Sequence, residues 1–440
     1  MGTISLFALA VPMLVENVMN SMIGFINSAV LSGYSESAVA ATGSAATVIN
    51  MLSLLLNIIS TGAGVTISQY IGANQAKEAK KTAYMTVYLC AIIGIILSAL
   101  SALGGTWIMQ WMNLKGEVLR QAIVYFRVRS AFFFIPMISG AFSTLLRCYG
   151  YSKLTVLSSF STIVCNLLLN IWVIEFPHLS PLTGVEGIAV GSVISQALGL
   201  GFNIFFTKRK QLGFLRPTSL RDGGAYTKRI FRIGLPSGIS TGAYSISQVI
   251  TASFVAIIGM QAVSAKVYYG NILLYSYLFS MCFGSANSLL IGRLVGGKQI
   301  ERAKQLTRTL VKITCAVNLC ISLVILLLRA PLLSIFTDHA EIIRLSLWIF
   351  LIDTVAEQAR GVSQVYEYAL RGVGDMKFMM IVAIVSCWTC GVGLAYLLSI
   401  PLEMGLIGCW IGMAVDESIR AVASYFRWKK GAWVNWNALK

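Results

Sequence analysis

Charged residues are scarce in this sequence. Asp, Glu, Lys and Arg together make up 12% of its 440 residues, whereas hydrophobic residues make up 57%. Soluble domains usually carry about 25% charged residues. The deficit excludes an ordinary soluble domain and predicts a chain that lies in an apolar solvent.

The sequence also lacks the motifs of common catalytic sites. It contains no P-loop, no HExxH motif and only two histidines, His178 and His339. Its nine cysteines lie mostly within apolar runs, and the CxxC spacing of Cys387 and Cys390 has no second pair, which favours packing over disulfide, metal or redox roles. We therefore expect no enzyme activity, no metal, no cofactor and no ATP coupling within this chain.

Apolar runs of about 20 residues, the length of a membrane-spanning helix, recur along the chain. The fold class that they predict is an all-α polytopic membrane protein with twelve transmembrane helices. The first run is too long for a signal peptide and no basic region precedes it, so no cleavable signal is expected. The predicted spans are 4–33, 38–72, 82–108, 118–147, 154–175, 184–207, 230–258, 262–292, 306–329, 342–371, 377–398 and 404–428.

The net charge of +17 is unevenly distributed among the loops. Lys and Arg are concentrated in alternate loops, above all in 208–229, whereas 34–37, 176–183 and 399–403 contain none. Because basic loops stay in the cytoplasm, we predict that both termini are cytoplasmic and that the protein lies in the cell membrane, the inner membrane of a bacterium. The excess charge is expected to contact lipid head groups, not nucleic acid.

The two halves of the chain repeat each other at a constant offset in sequence number. Pro12 matches Pro236 (236 − 12 = 224), and at the same offset Gly72 matches Gly296 and Arg147 matches Arg371. Six helices per copy is an even number, so both copies enter the membrane from the same side and form a parallel repeat. The predicted domains are a six-helix lobe at 1–207, a basic cytoplasmic linker at 208–229, a second six-helix lobe at 230–428 and a cytoplasmic tail at 429–440.

Several of these segments resemble the multidrug and toxic compound extrusion (MATE) family of the multidrug/oligosaccharidyl-lipid/polysaccharide flippase superfamily. The matching elements are Pro12, Pro236, and the segments 68–73, 145–153, 184–190 and 369–377. The resemblance implies two helical bundles that alternately open to each side of the membrane. It also implies export of amphipathic compounds in exchange for protons or sodium ions.

One position departs from the family pattern. Many bacterial members carry an aspartate fifteen positions after the proline of the first helix, where this chain has Asn27 (27 − 12 = 15). Asparagine cannot titrate, although its carbonyl oxygen can still ligate a cation or a substrate. The acidic residue that some members carry in the seventh helix aligns with Tyr244. The family's coupling site therefore cannot simply be transferred.

The tenth predicted helix carries the densest set of charges within any span. Asp353, Glu357 and Arg360 follow one helical face at i, i+4 and i+7. Charged residues within a span are costly and are candidates for function. A carboxylate withdrawn from water takes up a proton more readily, whereas a nearby arginine favours its charged form. Glu357 is therefore either an ion-coupling residue or half of a static pair with Arg360.

Other charges lie within predicted spans. Glu16 and Asp416 are further candidates for ion coupling, with Arg420 four positions after Asp416 as an alternative structural partner. Asn27, Tyr244, Arg360 and Arg129 are candidates for the substrate cavity, and Pro12 and Pro236 for helix kinks that change its volume. Basic residues also occur within the spans, at Arg127 and Arg129 in the fourth helix and at Lys266 in the eighth. If they face one cavity, they would favour an anionic cargo.

These observations predict a secondary active antiporter of the MATE type that exchanges amphipathic organic compounds for protons or sodium ions. A flippase for lipid-linked saccharides and an exporter of an anionic metabolite remain alternatives. An ion channel or a structural membrane protein is disfavoured by the tandem six-helix lobes, each of which is expected to have a kinked first helix. The expected partners are a small-molecule substrate and membrane lipids, and the expected assembly is a monomer.

Overall fold

The computed structural model describes residues 6–32, 35–112, 114–175, 178, 182, 184–210, 212, 223–337 and 339–435. Within these ranges the chain is helical throughout, apart from short turns. Contacts divide the chain into two compact units. Unit 1 comprises Met1–Ile67 and Gln75–Gly234, and unit 2 comprises Ser68–Asn74 and Leu235–Lys440.

The helices of the first copy of the repeat are long and mostly apolar. They are α1 (Leu6–Ser32), α2 (Glu36–Gly72), α3 (Ala76–Trp111), α4 (Gly116–Ala131 and Phe134–Cys148), α5 (Ser152–Glu175) and α6 (Gly184–Arg209). The two parts of α4 meet at an angle of 49°. The sequence analysis predicted one span over 118–147 and did not predict this break.

The second copy has the same order of helices. They are α7 (Gly223–Ile258), α8 (Met260–Gly296), α9 (Ile300–Leu327), α10 (Ala340–Val373), α11 (Met376–Ser399) and α12 (Gly405–Lys430), with a short helix, Arg329–Ser334, between α9 and α10. The middle of α11, Cys387–Leu394, is a π-helix. Such segments widen a helix locally and often occur at functional sites.

The twelve helices of the described chain confirm the predicted all-α membrane fold. Eight of the described helices are long and apolar enough to cross a membrane. The number is nine if the two parts of α4 are counted as one span. The others include α10 and α12, which carry charges near their midpoints: Asp353, Glu357 and Arg360 in α10, and Asp416 and Glu417 in α12.

The turns of the two copies share unusual backbone conformations. Asn74 and Lys298, which correspond in the repeat, both have a φ of 57°, and the corresponding pair Gly150 and Gly374 both have a φ of 88°. L-residues with side chains rarely adopt positive φ. The internal repeat is therefore present in the backbone as well as in the sequence.

Two predicted segments differ from the structure or lie partly outside it. The first turns of α7, from Gly223, are helical although they fall within the predicted linker 208–229. Residues 213–222 of that linker, and residues 436–440 of the predicted tail, lie outside the described residues.

Candidate functional site

The predicted charged face of α10 points into the interior of unit 2. Asp353, Glu357 and Arg360 are 1%, 0% and 7% exposed, respectively. They are joined there by Glu417 of α12, which is 5% exposed. We call these four residues the α10–α12 cluster. Burial of this kind withdraws all four groups from water, so their mutual contacts decide their charge states.

Arg360 lies between two carboxylates. Its Nη1 donates to Oε1 of Glu357 on the same helix, and its Nε lies 3.1 Å from Oε1 of Glu417. Its remaining nitrogen, Nη2, approaches the sulfur of Met413 at 3.5 Å. The guanidinium therefore forms an ion pair with each glutamate and ties α10 to α12.

Neutral donors complete the coordination of the two glutamates. Ser276 of α8 donates through Oγ to Oε2 of Glu357 at 2.8 Å. Ser363 of α10 donates through Oγ to Oε2 of Glu417 at 3.2 Å. Asn318 of α9 donates to the backbone carbonyl of Glu357 at 3.1 Å. Four helices of unit 2 thus contribute to one polar interior.

Asp353 is the exception in this cluster. Both of its carboxylate oxygens are buried and have no hydrogen-bond partner among the described residues. The indole N–H of Trp410 approaches Asp353 without making a hydrogen bond and is itself unpaired. Burial removes the hydration of the Asp353 carboxyl group, and no hydrogen bond to it is formed among the described residues.

Asp416 has a separate set of partners, although it adjoins Glu417. It forms an ion pair with Arg420 one turn later, at 3.0 Å from Nη2 to Oδ2, and accepts a hydrogen bond from Ser386 of α11. The Arg420 guanidinium also lies 5.8 Å from the centre of the Tyr244 ring of α7. Tyr244 is 37% exposed, and Asp416 and Arg420 balance each other's charge.

Among the described residues of unit 1, a buried acid occurs in a defined pair. Glu16 of α1, 3% exposed, accepts from Arg147 Nη2 at 2.6 Å and from Thr155 Oγ1 at 2.7 Å. These contacts join α1 to the end of α4 and the start of α5. Thr155 Oγ1 also lies 2.8 Å from the backbone carbonyl of Ser152. Unlike the α10–α12 cluster, this contact contains one acid and one base, Glu16 and Arg147.

Asn27 belongs to a neutral chain of side chains in unit 1. Its Oδ1 accepts from Asn170 Nδ2 at 2.6 Å, and Asn170 also donates to Asn166 at 3.2 Å. Asn166 in turn donates to Ser192 at 3.2 Å. None of these four side chains titrates, so this chain of hydrogen bonds stays neutral at any physiological pH.

The remaining basic and proline candidates are more isolated. Arg129 of α4 has a buried Nε without a hydrogen bond, and neither it nor Lys266 of α8 has a carboxylate within ion-pair distance among the described residues. Pro12 and Pro236 lie inside α1 and α7, both of which continue as helices through them.

The sequence pattern placed Asp353, Glu357 and Arg360 on one face but did not identify their partners. Glu417 was visible only as a second acid beside Asp416, and Ser276 and Ser363 are ordinary small residues of membrane helices. A weak signal existed for Ser363, which follows Arg360 by three positions and shares its face of α10.

Comparison with known proteins agrees with this architecture. The MatE family profile matches residues 12–172 and 236–397, two segments whose starts are the equivalent prolines of the repeat. The chain is 30% identical over 433 residues to YisQ, an uncharacterized transporter of Bacillus subtilis, covering 98% of this chain and 95% of that protein. It is 27% identical to a probable multidrug resistance protein, NorM, of Thermotoga maritima, with 97% of this chain and 92% of that protein covered.

Solved structures show the same fold at lower identity. A crystal structure of a MATE transporter in a bent conformation superimposes with a TM-score of 0.89 at 22% identity, covering 97% of this chain and 95% of that one. A MOP superfamily transporter from Pyrococcus furiosus, described as having a binding pocket of reversed polarity, gives a TM-score of 0.86 at 22% identity, with 97% and 96% covered. The profile match to both repeats and the full-length relatives establish that this chain is a member of the MATE family of transporters.

Proposed function

We propose that this chain is a proton-coupled antiporter that exports amphipathic organic compounds by alternating access. The observation that carries the proposal is the Asp353 carboxylate, which is buried in unit 2 without a hydrogen-bond partner among the described residues. In MATE transporters generally, exchange requires a group that binds an ion on one side of the membrane and releases it on the other. Asp353 has the chemistry of such a group.

The cycle follows from the cost of burying charge. When unit 2 is closed around Asp353, the neutral carboxylic acid is favoured, because burial removes the hydration of an ionised carboxylate and no hydrogen bond to Asp353 is formed among the described residues. When water reaches Asp353, its hydration favours ionisation and the proton leaves. Protonation is thereby linked to closure, and a proton gradient can drive the change between the two states.

Glu357, Glu16 and Asp416 are weaker candidates for the coupling role. Each has an arginine within ion-pair distance: Arg360 for Glu357, Arg147 for Glu16 and Arg420 for Asp416. A guanidinium that balances one carboxylate favours the charged form of that carboxylate. We propose that Glu16 and Asp416 hold helices together, and that Glu357 keeps Arg360 in place within the cluster.

Sodium is the alternative coupling ion. Two unpaired carboxylate oxygens are also the type of ligand that hard cations prefer. Asn27 offers only a neutral oxygen that already accepts from Asn170, so we place the coupling site in unit 2 and not at the family's position in the first helix.

An anionic cargo, including a lipid-linked saccharide, is the second candidate function. It is supported by Arg129 and Lys266, which have no carboxylate partner among the described residues. Arg360 does not support it, because its guanidinium is already in contact with Glu357 and Glu417. Replacing Arg129 and Lys266 by glutamine is expected to reduce flux of anionic compounds only; equal flux of anionic and cationic compounds after both changes would exclude this candidate.

The arrangement in the cell is proposed on the same basis. We propose that the chain is a monomer in a bacterial inner membrane, with two lobes at 1–207 and 230–428. The linker 208–229, the tail 429–440 and both termini are proposed to be cytoplasmic. We also propose that α1 and α7 bend at Pro12 and Pro236 during transport and so change the volume of the cavity.

A flux assay in proteoliposomes tests the proposal. Ethidium efflux is measured under an imposed proton gradient and, separately, under a sodium gradient. The proton gradient is expected to drive efflux, and Asp353→Asn to reduce it by about tenfold or more, equivalent to about 1.4 kcal/mol in the barrier. The control Glu301→Gln removes an acid that is 84% exposed. Efflux that follows only the sodium gradient, or that survives Asp353→Asn, would refute proton coupling at this residue.

A further inference from the structure

The α10–α12 cluster contains more acids than bases. Its three carboxylates, Asp353, Glu357 and Glu417, surround one guanidinium, Arg360, so the fully ionised cluster would carry a charge of −2 (1 − 3 = −2). Asp416 and Arg420 form their own pair and do not correct this excess. A buried site that is not balanced by cations is expected to bind protons instead.

One proton on Asp353 leaves a charge of −1 to be neutralised. A second proton would neutralise it by binding to one of the two glutamates that flank Arg360. Because both are nearly inaccessible to water, the hydrogen-bond donors and acceptors around each of them decide which one accommodates a proton.

The surroundings of Glu357 suit a carboxylate. Arg360 and Ser276 each donate to one of its oxygens. No other acceptor for the Ser276 hydroxyl is found among the described residues. If Glu357 were protonated on Oε2, that oxygen and the Ser276 hydroxyl would both be donors facing each other. One of the two hydrogens would then have no acceptor.

The surroundings of Glu417 suit a carboxylic acid. The Ser363 hydroxyl lies 3.2 Å from Oε2 of Glu417 and also 3.2 Å from the backbone carbonyl of Arg360. It has only one hydrogen and cannot fully satisfy both acceptors. If Glu417 is protonated on Oε2, it donates to Ser363, and Ser363 donates to the carbonyl, so that each hydrogen has one acceptor.

We propose that Glu417 is a second proton-binding site, with Ser363 as the acceptor of its proton and Asp353 as the first site. When Glu417 is protonated on Oε2, its Oε1 still accepts from Arg360 Nε at 3.1 Å. The charge of the closed cluster is then zero: Asp353 and Glu417 are neutral, and Glu357 balances Arg360. The other titratable or charged groups that act on Glu417 are Asp416, Arg420, Tyr244 and Tyr277.

This inference rests on the proposed function only where it assigns both protons to the transport cycle. In that case two protons exchange per cycle, and the dependence of efflux on proton concentration is second order. A single-site transporter would show first-order dependence.

Infrared spectroscopy of the full chain in maltoside detergent tests the proton count, because this detergent has no ester carbonyl to obscure the carboxylic-acid C=O stretch. In sodium-free buffer at neutral pH, two such bands are expected. Asp353→Asn should remove one and Glu417→Gln the other. Glu301→Gln, which removes an exposed acid, should change neither. A spectrum with one band or none would overturn the proposal.

Ser363→Ala distinguishes Glu417 from Glu357 as the second site. Loss of the hydroxyl removes the acceptor of the Glu417 proton, so the second band should shift in frequency and persist. If that band is unmoved by Ser363→Ala but shifts in Ser276→Ala, the proton is on Glu357 and the assignment is wrong. Because serine to alanine is a small change, both variants are expected to fold.

The role in transport is tested separately with ethidium efflux at varied pH. Glu417→Gln should retain proton-driven efflux with its order in protons reduced from two to one. Unchanged order in this variant would overturn the role of Glu417 in transport. Failure of the wild type to move ethidium with a proton gradient would refute the proposed function, and the infrared result would still decide the proton count.

Discussion

Arg360 of α10 and Glu417 of α12 are in contact in the interior of unit 2, with 3.1 Å between the guanidinium Nε and the carboxyl Oε1. The two residues are 57 positions apart in sequence. Their contact is therefore tertiary, and it makes the only guanidinium of the α10–α12 cluster a link between two helices. Its energetic role can be measured directly.

Replacing Arg360 by leucine is expected to destabilise unit 2. The change removes the single cation of the cluster and leaves the Glu357 carboxylate buried without its counter-ion, and breaking a buried pair in this way costs about 3–5 kcal/mol. Thermal unfolding of the purified protein in detergent measures the loss. The control is Arg120→Leu, since Arg120 is 79% exposed and exposed pairs contribute about 0–1 kcal/mol. Equal effects of the two changes would contradict the buried pair.

Glu357→Gln is expected to lower proton-driven efflux by about tenfold or more, or about 1.4 kcal/mol, while expression stays normal. The amide preserves the contact with Ser276 but cannot balance Arg360, so Glu417 must remain ionised as the sole counter-ion. Ethidium flux and membrane abundance are measured together. Near-normal flux would show that Glu357 is not needed to hold the cluster in its working charge state.

Asn27 is expected to affect the rate of transport but not its pH dependence. Asn27→Ala removes the acceptor of a 2.6 Å hydrogen bond from Asn170 without removing any titrating group. Asp353→Asn, by contrast, removes a titrating group and should change the pH profile of efflux. A pH profile that shifts in Asn27→Ala as it does in Asp353→Asn would contradict a neutral role for the chain of amides in unit 1.

Gly412→Ala is expected to weaken the packing of α12 on α11. A Cβ at Gly412 would lie 2.7 Å from the Cβ and 2.8 Å from the Cα of Ala395, and overpacking of this kind costs about 1–3 kcal/mol. Gly242→Ala in α7 is the matched control, because no neighbouring atom lies within 4 Å of its Cβ. The control should unfold at the same or a higher temperature, since alanine favours helix by about 0.5–1 kcal/mol. If Gly412→Ala is equally harmless, the close approach is not present.

Part of this site could be predicted because it depends on a single helix. The period of an α-helix decides that Asp353, Glu357 and Arg360 share a face, and the absence of water in a membrane decides that this face must be turned inward. The long apolar runs and the internal repeat likewise predicted the number and order of helices.

Other features of the site and the fold depend on how the helices pack against each other, and the sequence pattern did not predict them. Neighbouring residues of a helix point about 100° apart, so Asp416 and Glu417 could not be assigned to different partners without the position of α12. The break in α4 is of the same kind. Ser98 of α3 accepts a hydrogen bond from the backbone N–H of Phe134 at 3.0 Å, and this contact satisfies the first donor after the break.

The adjacent acids Asp416 and Glu417 have a mechanical consequence for unit 2. One is anchored to Ser386 of α11 and the other to Arg360 of α10. A rotation of α12 about its axis would stretch one anchor or the other, whichever way it turned. We therefore expect α10, α11 and α12 to travel as one rigid body during transport, and spin labels placed on α10 and α11 should keep a constant separation while cargo moves; a separation that changes with the gradient would disprove this.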